Sequence, residues 1–289
     1  MKGIVLAGGT GSRLWPMTLA VSKQLLPVYN KPMIYYPIST LMLAGIRDIL
    51  IITTPGDSTA FQKQLGDGKL LGVNFSYAIQ EKPSGIAEAL ILGKEFLKGD
   101  SVLLILGDNI FHGAGLGREL TATLPHDGAH IFTYEVSNPN DYGIISMNEK
   151  GDPISIQEKP QSSDSNMAVT GLYFFDSLAT EFARKLKPST RGELEITSLI
   201  EEYLNIGKLR VTPLSRGSVW LDTGNPNAMN DASNYVRVIE ERTGLMIACL
   251  EEIAWRNQWI GEKEIMEGIK LLNLTQKKYL LDLLNVQTS

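Results

Sequence analysis

A glycine cluster followed by an arginine is the first stretch of this chain that could do chemistry. In IVLAGGTGSRLWP, Gly8, Gly9 and Gly11 directly follow a short apolar run. Glycines let backbone N–H groups approach a ligand closely, so this composition favours phosphate binding. The loop is not a dinucleotide fingerprint, since Leu14 stands where the third glycine belongs, and Arg13-Leu14 cannot replace the Gly-Lys-Ser/Thr of a P-loop. We therefore predict a phosphate-binding loop of another kind, with a plain tight turn as the alternative.

Two aspartates stand at the ends of strand-like runs. Asp108 ends SVLLILGD and Asp222 ends SVWLD. Taken singly, each is as readily a turn former or helix cap as a ligand. Ligands of parallel sheets bind beyond the carboxyl ends of the strands, and Mg²⁺ binds phosphates through one or two carboxylates. Together with the glycine loop, the two carboxylates predict a magnesium site.

The tetrapeptide QEKP occurs twice, at 80–83 and at 157–160. Each copy follows a short strand-like run, 75–79 and 153–156. Beyond the four letters the two neighbourhoods share nothing, and the chain shows no repeat of solenoid period. The sequence therefore favours two different roles over a duplicated domain.

Strands that alternate with helices are predicted for the first 140 residues. Short apolar runs predict strands at 3–7, 48–53, 101–106 and 130–136, and helical spacing predicts helices at 32–44 and 86–97. This alternation indicates βαβ units and a largely parallel sheet.

The predicted order of strands and helices changes after residue 142. Runs at 144–147, 154–157 and 172–175 are expected to form an additional small sheet. From Pro226 onward the pattern is helical, with Pro226 as a first helical residue and Gly244 as a C-terminal stop. Trp255 and Trp259 are four residues apart and are expected to share one helix face, where core packing is their ordinary role.

Composition excludes several classes of protein. The 289 residues carry a net charge of −5 and a single cysteine, Cys249, which leaves no internal disulfide framework. The acidic balance argues against a general nucleic-acid binder, and no apolar run is long enough for a membrane span or a signal peptide. We expect a cytoplasmic protein that binds neither nucleic acid nor membrane.

The histidines form no catalytic motif. His112, His126 and His130 have no partner spaced for a triad, and no Gly-x-Ser-x-Gly elbow is present. His112, four residues after Asp108, is expected to have a structural or surface role. A phosphoryl-type transfer at this site would not use a histidine base. It would depend on the alignment of the reactants and the neutralisation of their charge.

The glycine loop and the stretch SKQLLP together resemble the sugar nucleotidyltransferases. The shared pattern is G-G-x-G-x-R-L, about ten residues, then S-K-Q-L-L-P, which places Lys23 in register with Arg13. With Gln24 directly after Lys23 and its compact length, the chain resembles the thymidylyl branch of that family. The resemblance implies an α/β fold with a Rossmann-like, mostly parallel central sheet flanked by helices, a small additional sheet for the sugar and a helical C-terminal segment. It divides the chain into a catalytic domain, 1–225, with nucleotide and sugar halves of about 1–140 and 141–225, and a segment for assembly or regulation, 226–289.

The resemblance also assigns roles to residues of this sequence. Gln80, with Pro83 and Gly85, would read the base, because its amide offers a donor and an acceptor to a pyrimidine edge. Glu158 would accept hydrogen bonds from sugar hydroxyls, and Lys159 would hold the sugar 1-phosphate. The implied catalytic residues are Arg13, Lys23 and Lys159, and the metal ligands are Asp108 and Asp222. The implied nucleotide-binding residues are Gly8, Gly9, Thr10, Gly11, Gln24, Gln80, Pro83, Gly85 and Asp108, and the sugar-binding residues are Asn109, Tyr142, Gly143, Glu158, Lys159 and Val169.

The implied reaction is Mg²⁺-dependent and converts dTTP and glucose 1-phosphate into dTDP-glucose and pyrophosphate. Its product would supply deoxysugar and cell-surface polysaccharide synthesis. Members of the family assemble as homotetramers, and a downstream dTDP-sugar can inhibit them at a subunit interface. A non-catalytic sugar-nucleotide-sensing subunit is the first alternative. A nicotinamide-dependent oxidoreductase is the second, and Leu14 argues against it.

Overall fold

The predicted apolar runs become strands, as their aliphatic and β-branched side chains favour. The computed structural model describes residues 1–124 and 127–287. The strands are β1 Lys2–Ala7, β2 Pro27–Val28, β3 Lys31–Pro32, β4 Asp48–Thr53, β5 Asn74–Ile79, β6 Val102–Leu106, β7 Asn109–His112, β8 Ala129–Glu135, β9 Gly143–Met147, β10 Pro153–Glu158, β11 Met167–Phe175, β12 Leu209–Pro213 and β13 Val219–Asp222.

Helices occupy most of the connections and the C-terminal quarter of the chain. They are α1 Tyr35–Leu43, α2 Ser58–Leu65, α3 Glu88–Leu92, α4 Lys94–Leu97, α5 Leu116–Thr123, α6 Ala179–Lys185, α7 Ile196–Asn205, α8 Pro226–Thr243, α9 Leu250–Arg256, α10 Glu262–Gly268 and α11 Leu274–Gln287. The predicted ends of α8 are confirmed. Pro226 is its first residue, and Gly244 follows it with a left-handed φ of 70°.

Nine strands of the described residues form one central sheet. Its main path is β10-β9-β11-β6-β1-β4-β5, and β8 joins β11 to β12. The strands β6, β1, β4 and β5 run parallel to one another, and β12 runs parallel to β8, whereas β11 is antiparallel to its neighbours. Two short antiparallel pairs, β7–β13 and β2–β3, lie apart from it. The predicted Rossmann-like fold class is confirmed.

Three predicted strands lie in a different sheet from the one expected. The runs at 144–147, 154–157 and 172–175 become β9, β10 and β11, which extend the central sheet and form no additional one. The reason is the length of β11, whose Ala168 pairs with β9 while its Leu172 pairs with β6. The small separate sheet next to Asp108 is instead β7–β13.

Two helix predictions are wrong in extent. The helix expected at 86–97 divides into α3 and α4 at Gly93, where an added side chain would meet Ile4 Cδ1 at 2.8 Å. Helix α9 ends at Arg256, so Trp255 and Trp259 do not share a helix face. Both tryptophans are partly buried against the core, in the packing role expected of them.

Apolar side chains pack on both faces of the central sheet. Helices α1 and α5 and the C-terminal helices cover one face, where Leu41, Ala254 and Leu280 belong to one buried cluster. Helices α3, α6 and α7 cover the other face. The C-terminal helices therefore share a core with the sheet.

No helix of the described residues is long and apolar enough to cross a membrane. His126 and the end of the C-terminal segment, 288–289, lie outside the described residues.

Candidate active site

The carboxyl ends of the parallel strands bring the first set of predicted residues together. Gly8 follows β1, Gln80 follows β5 and Asp108 comes two residues after β6. All three line one cavity of about 360 Å³. The sequence predicted this meeting, because parallel strands end at the same edge of a sheet.

Gly8 and Gln80 are in close contact on the cavity wall. A Cβ added at Gly8 would lie 2.5 Å from Gln80 Oε1, so the position excludes a side chain. Gln80 Nε2 donates to Glu88 Oε2 at 2.7 Å and to the Gly85 carbonyl at 3.2 Å. The prediction that the Gln80 amide offers both a donor and an acceptor to a base therefore needs correction. Its N–H groups are used inside the protein, which leaves Oε1 as an acceptor.

Asp108 lines the cavity and forms an ion pair with Lys23. Burial alone would raise the pKa of the Asp108 carboxyl, but the charge of Lys23 and hydrogen bonds from Lys23 and Asn109 hold this pKa below its usual value. Asp108 is therefore ionised at neutral pH.

Asp222 reaches the cavity through the small sheet. Strand β13 pairs with β7 in a register that sets Asp222 opposite Asn109, next to Asp108. Thr223 fixes this approach, since its backbone N–H and its hydroxyl both donate to the Asp108 carbonyl, at 3.1 and 2.7 Å. Burial, followed by the negative charge of Asp108, raises the pKa of Asp222 to about 6.

The two carboxylates could hold a divalent cation. Their mutual repulsion, expressed in the raised pKa of Asp222, is relieved by a cation between them. No cluster of three or more His, Cys, Asp or Glu side chains suited to a metal occurs among the described residues. A site with two protein carboxylates and further oxygens from phosphates and water suits Mg²⁺.

Asn109 ties three strands together beneath the cavity. Its Nδ2 donates to Asp108 Oδ1 at 2.9 Å. Its Oδ1 accepts from Trp220 Nε1 at 2.6 Å and from the Gly171 N–H at 3.1 Å. Asn109 is 2% exposed, so it orients Asp108 in addition to lining the cavity.

The second QEKP copy also contributes to the lining of the cavity. Glu158 accepts from Arg191 Nη2 at 3.1 Å and from Thr197 Oγ1 at 3.2 Å. Burial, followed by the negative charge of Glu195, raises the pKa of Glu158. Lys159 follows with a positive φ of 44°, which is uncommon for a non-glycine residue. Its backbone N–H donates to the Tyr142 carbonyl at 3.1 Å.

Fourteen predicted site residues line this one cavity, from both halves of the chain: Gly8, Gly9, Arg13, Gln80, Pro83, Gly85, Asp108, Asn109, Tyr142, Gly143, Glu158, Lys159, Val169 and Asp222. Lys23 reaches it through its bond to Asp108. Thr10, Gly11 and Gln24 do not lie on the wall. Thr10 is exposed, Gly11 accepts from Thr18 Oγ1, and Gln24 is buried and accepts from Ser22 Oγ at 2.6 Å. Their predicted nucleotide-binding roles stay predictions.

Sequence reasoning missed other residues of the cavity. Arg191, Thr197 and Trp220 line it, and each is bonded to a predicted site residue. Trp220 lies two residues before Asp222, and this proximity was the available signal. Arg191 and Thr197 carry no local signal, since α7 and the loop before it reach the cavity only through the fold.

His112 is structural, as expected. Its Nδ1 lies 2.7 Å from the Tyr235 hydroxyl of α8, so it joins this helix to β7. His130 is buried in β8, with Nε2 2.8 Å from Thr212 Oγ1. Neither lines the cavity described above.

Comparisons with known proteins agree with this arrangement. Residues 2–238 match the family model described as nucleotidyl transferase. The chain is 52% identical over 286 residues to the glucose-1-phosphate thymidylyltransferase of Neisseria meningitidis serogroup A, an alignment of 98% of this chain and 99% of that protein. It is 50% identical over 285 residues to the Mycobacterium tuberculosis H37Rv protein of the same name, again over 98% and 99%.

Solved structures share the fold. A Bacillus anthracis crystal structure, described as a glucose-1-phosphate thymidylyltransferase in complex with a sucrose, aligns with 82% of this chain and 95% of its own at a TM-score of 0.76 and 40% identity. A UDP-glucose pyrophosphorylase complexed with UDP-glucose aligns with 82% and 98% at a TM-score of 0.71. At 22% identity, the second shows the fold alone.

Proposed function

The chain belongs to the nucleotidyl transferase family, and we propose that it joins dTTP to glucose 1-phosphate, giving dTDP-glucose and pyrophosphate. The observation that carries the proposal is a single cavity lined by two sets of predicted residues. The lining includes the glycine loop and Arg13, then Glu158 and Lys159, together with the carboxylates Asp108 and Asp222. A triphosphate and a sugar phosphate can therefore meet at the carboxylates.

The charge of the cavity supports a requirement for Mg²⁺. Six carboxylates line it, Asp108, Asp141, Glu158, Glu193, Glu195 and Asp222, against four basic side chains, Arg13, Lys159 and Arg191 on the lining and Lys23 through its ion pair with Asp108. The excess of carboxylates opposes the binding of a nucleoside triphosphate, and an added cation offsets this repulsion. Asp108 and Asp222 would hold Mg²⁺, which supplies a Lewis acid for phosphoryl oxygens.

The reaction needs no general base from the protein. A phosphate oxygen of glucose 1-phosphate is already ionised at neutral pH, and it forms a bond to the α-phosphorus of dTTP. The bond from that phosphorus to the bridging oxygen breaks, and pyrophosphate leaves with the electron pair. Lys159 would position the nucleophile, and Arg13 and Lys23 would neutralise the triphosphate and the leaving group.

The base would bind beside the first QEKP copy. Gln80 Oε1 offers an acceptor, and the Gly85 N–H makes no backbone hydrogen bond with a described residue. A donor and an acceptor side by side are complementary to the N3–H and O4 of thymine. Uracil has the same edge, so UTP is the competing substrate to test.

Pyrophosphate release across a grid of nucleoside triphosphates and sugar 1-phosphates, with Mg²⁺, tests the proposal. We expect the largest kcat/KM for dTTP with glucose 1-phosphate, and loss of activity with EDTA. A maximum elsewhere in the grid would keep the reaction type and refute the base or sugar assignment. If the folded protein releases no pyrophosphate with any pair of substrates, the result would favour a non-catalytic sensing subunit.

We also propose that the chain assembles as a homotetramer, acts in the cytoplasm and supplies deoxysugar and polysaccharide synthesis. Exposed apolar side chains of the C-terminal segment support assembly, since Leu271, between α10 and α11, and Leu274, at the start of α11, are each 84% exposed in the isolated chain. The proposal includes inhibition by a downstream dTDP-sugar between subunits.

Light scattering tests the assembly. We expect a molar mass about four times the 31.8 kDa of one chain. A monomer would contradict both the tetramer and an inhibitor site between subunits, and addition of dTDP-deoxysugars to the pyrophosphate assay tests inhibition itself.

A further inference from the structure

Glu88 makes a hydrogen bond to the site that the reaction above does not explain. This residue opens α3, and its Oε2 accepts from Gln80 Nε2 at 2.7 Å. The second acceptor of the same amide nitrogen is the Gly85 carbonyl. Glu88 reaches the cavity through Gln80, because its own side chain is not part of the wall.

These two bonds fix which end of the Gln80 amide faces the ligand. A carboxylate and a carbonyl can only accept hydrogen bonds, so a reversed amide would set its oxygen against two acceptors. The bond to a carboxylate is charge-assisted, which makes the reversal more costly. Gln80 is 5% exposed and lies against Gly8, so the side chain has no space to turn away.

We propose that Glu88 is a positioning residue that sets base selectivity by holding Gln80 as a hydrogen-bond acceptor toward the cavity. An acceptor there fits the N3–H of thymine or uracil and repels the N3 lone pair of cytosine. The inference rests on the proposed function, because it concerns the base bound beside Gln80.

Glu88→Gln tests the inference through equilibrium binding. A glutamine at 88 can accept through its oxygen or donate through its nitrogen, so it permits both orientations of the Gln80 amide. With calorimetry in the presence of Mg²⁺, we expect the preference for dTTP over dCTP, as a ratio of Kd values, to fall about tenfold. A ratio within about twofold of the wild type would overturn the proposal.

Glu81→Gln is the matched control. Glu81 is adjacent to Gln80, is exposed and forms no side-chain hydrogen bond with a described residue, yet its substitution removes the same charge. We expect it to leave the ratio unchanged. In a Gln80→Ala background, Glu88→Gln should also leave the ratio unchanged, since the residue acts through Gln80.

Wild-type protein with N3-methyl-dTTP provides a test that depends on no variant. This analogue lacks the N3–H and should bind at least about tenfold more weakly than dTTP. Equal binding of the two would overturn the role of Oε1 as the selective acceptor.

The two levels of the proposal fail in different ways. If wild type binds and converts dTTP but binds dCTP equally well, only the Glu88 inference fails. If wild type binds dTTP selectively without converting it, the inference stands and the reaction fails. If it binds no pyrimidine triphosphate, both fail.

Discussion

Replacing Asp222 with asparagine is expected to reduce Mg²⁺-dependent pyrophosphate release by about 10³-fold. The substitution keeps the shape of the side chain and removes one of the two carboxylates that would hold the cation. Initial rates at saturating dTTP, glucose 1-phosphate and Mg²⁺ measure the effect. Near-normal turnover would remove Asp222 from the site.

The same substitution is expected to stabilise the metal-free protein at neutral pH. Folding raises the pKa of Asp222 from 3.8 to about 6, because burial and the charge of Asp108 oppose its ionisation. Between these values the folded state binds a proton that the unfolded state has lost, so this group makes the free energy of unfolding fall as pH rises. At neutral pH the ionised Asp222 lowers the free energy of unfolding by at most about 3 kcal/mol. Asparagine is uncharged and does not have this effect.

Urea unfolding in EDTA at pH 4 and pH 7.5 measures this effect. The difference between Asp222→Asn and wild type should be small at pH 4 and should favour the variant at pH 7.5. Asp231→Asn, at an exposed position on α8, removes the same charge and should change neither stability nor turnover. An Asp222→Asn variant that is less stable at both pH values would contradict the repulsion between the two carboxylates.

The strand ends of the site could be predicted because they depend on local pattern and one topological rule. Apolar runs identify β1 and β6, and parallel strands end at the same edge, so Gly8 and Asp108 were expected to meet. Asp222 was predicted from the same pattern, but it arrives by another route. Strand β13 lies outside the central sheet and pairs with β7, which begins directly after Asp108.

The remaining features depend on contacts between residues far apart in the chain. Nothing in the alternation of β9 to β11 distinguishes an extended central sheet from a separate one, since strand partners are chosen by the whole fold. The bond from Trp220 to Asn109 spans 111 positions, and that from Arg191 to Glu158 spans 33. The internal use of the Gln80 amide was likewise hidden, because it depends on the turn that brings Glu88 back to it.

The two QEKP copies show that the same four residues can have different roles at different places in the fold. The first copy follows β5, and the second begins with the last two residues of β10; these strands are the two ends of the main path of the sheet, and both copies contribute residues to the cavity lining. The same four residues therefore have different surroundings in the two copies. Lys82 of the first copy is exposed and does not line the cavity, whereas Lys159 of the second lines it.

Lys159→Ala is expected to lower kcat/KM for glucose 1-phosphate by about 10²-fold, the value of one charge-assisted hydrogen bond to phosphate. The Kd of dTTP should change by less than about twofold, because the triphosphate is assigned to Arg13 and Lys23. Steady-state rates at saturating dTTP, with calorimetry for the nucleotide, separate the two effects. Equal losses for sugar phosphate and nucleotide would contradict the role.

The structure makes this substitution a test of the ammonium group. Arg191 pairs with Glu158 and Glu195, whereas Lys159 forms no ion pair with a described residue. Burial raises the pKa of Glu158 and the charges of Arg191 and, less strongly, Lys159 lower it, so Glu158 keeps its stronger cationic partner when Lys159 is removed. Alanine and lysine bear a similar cost at a φ of 44°, so backbone strain does not change. Lys82→Ala changes the same residue of the same tetrapeptide and should alter neither constant. If only Lys159→Ala lowers kcat/KM for glucose 1-phosphate, the cause is the position of Lys159 in the cavity, because both lysines belong to the same tetrapeptide.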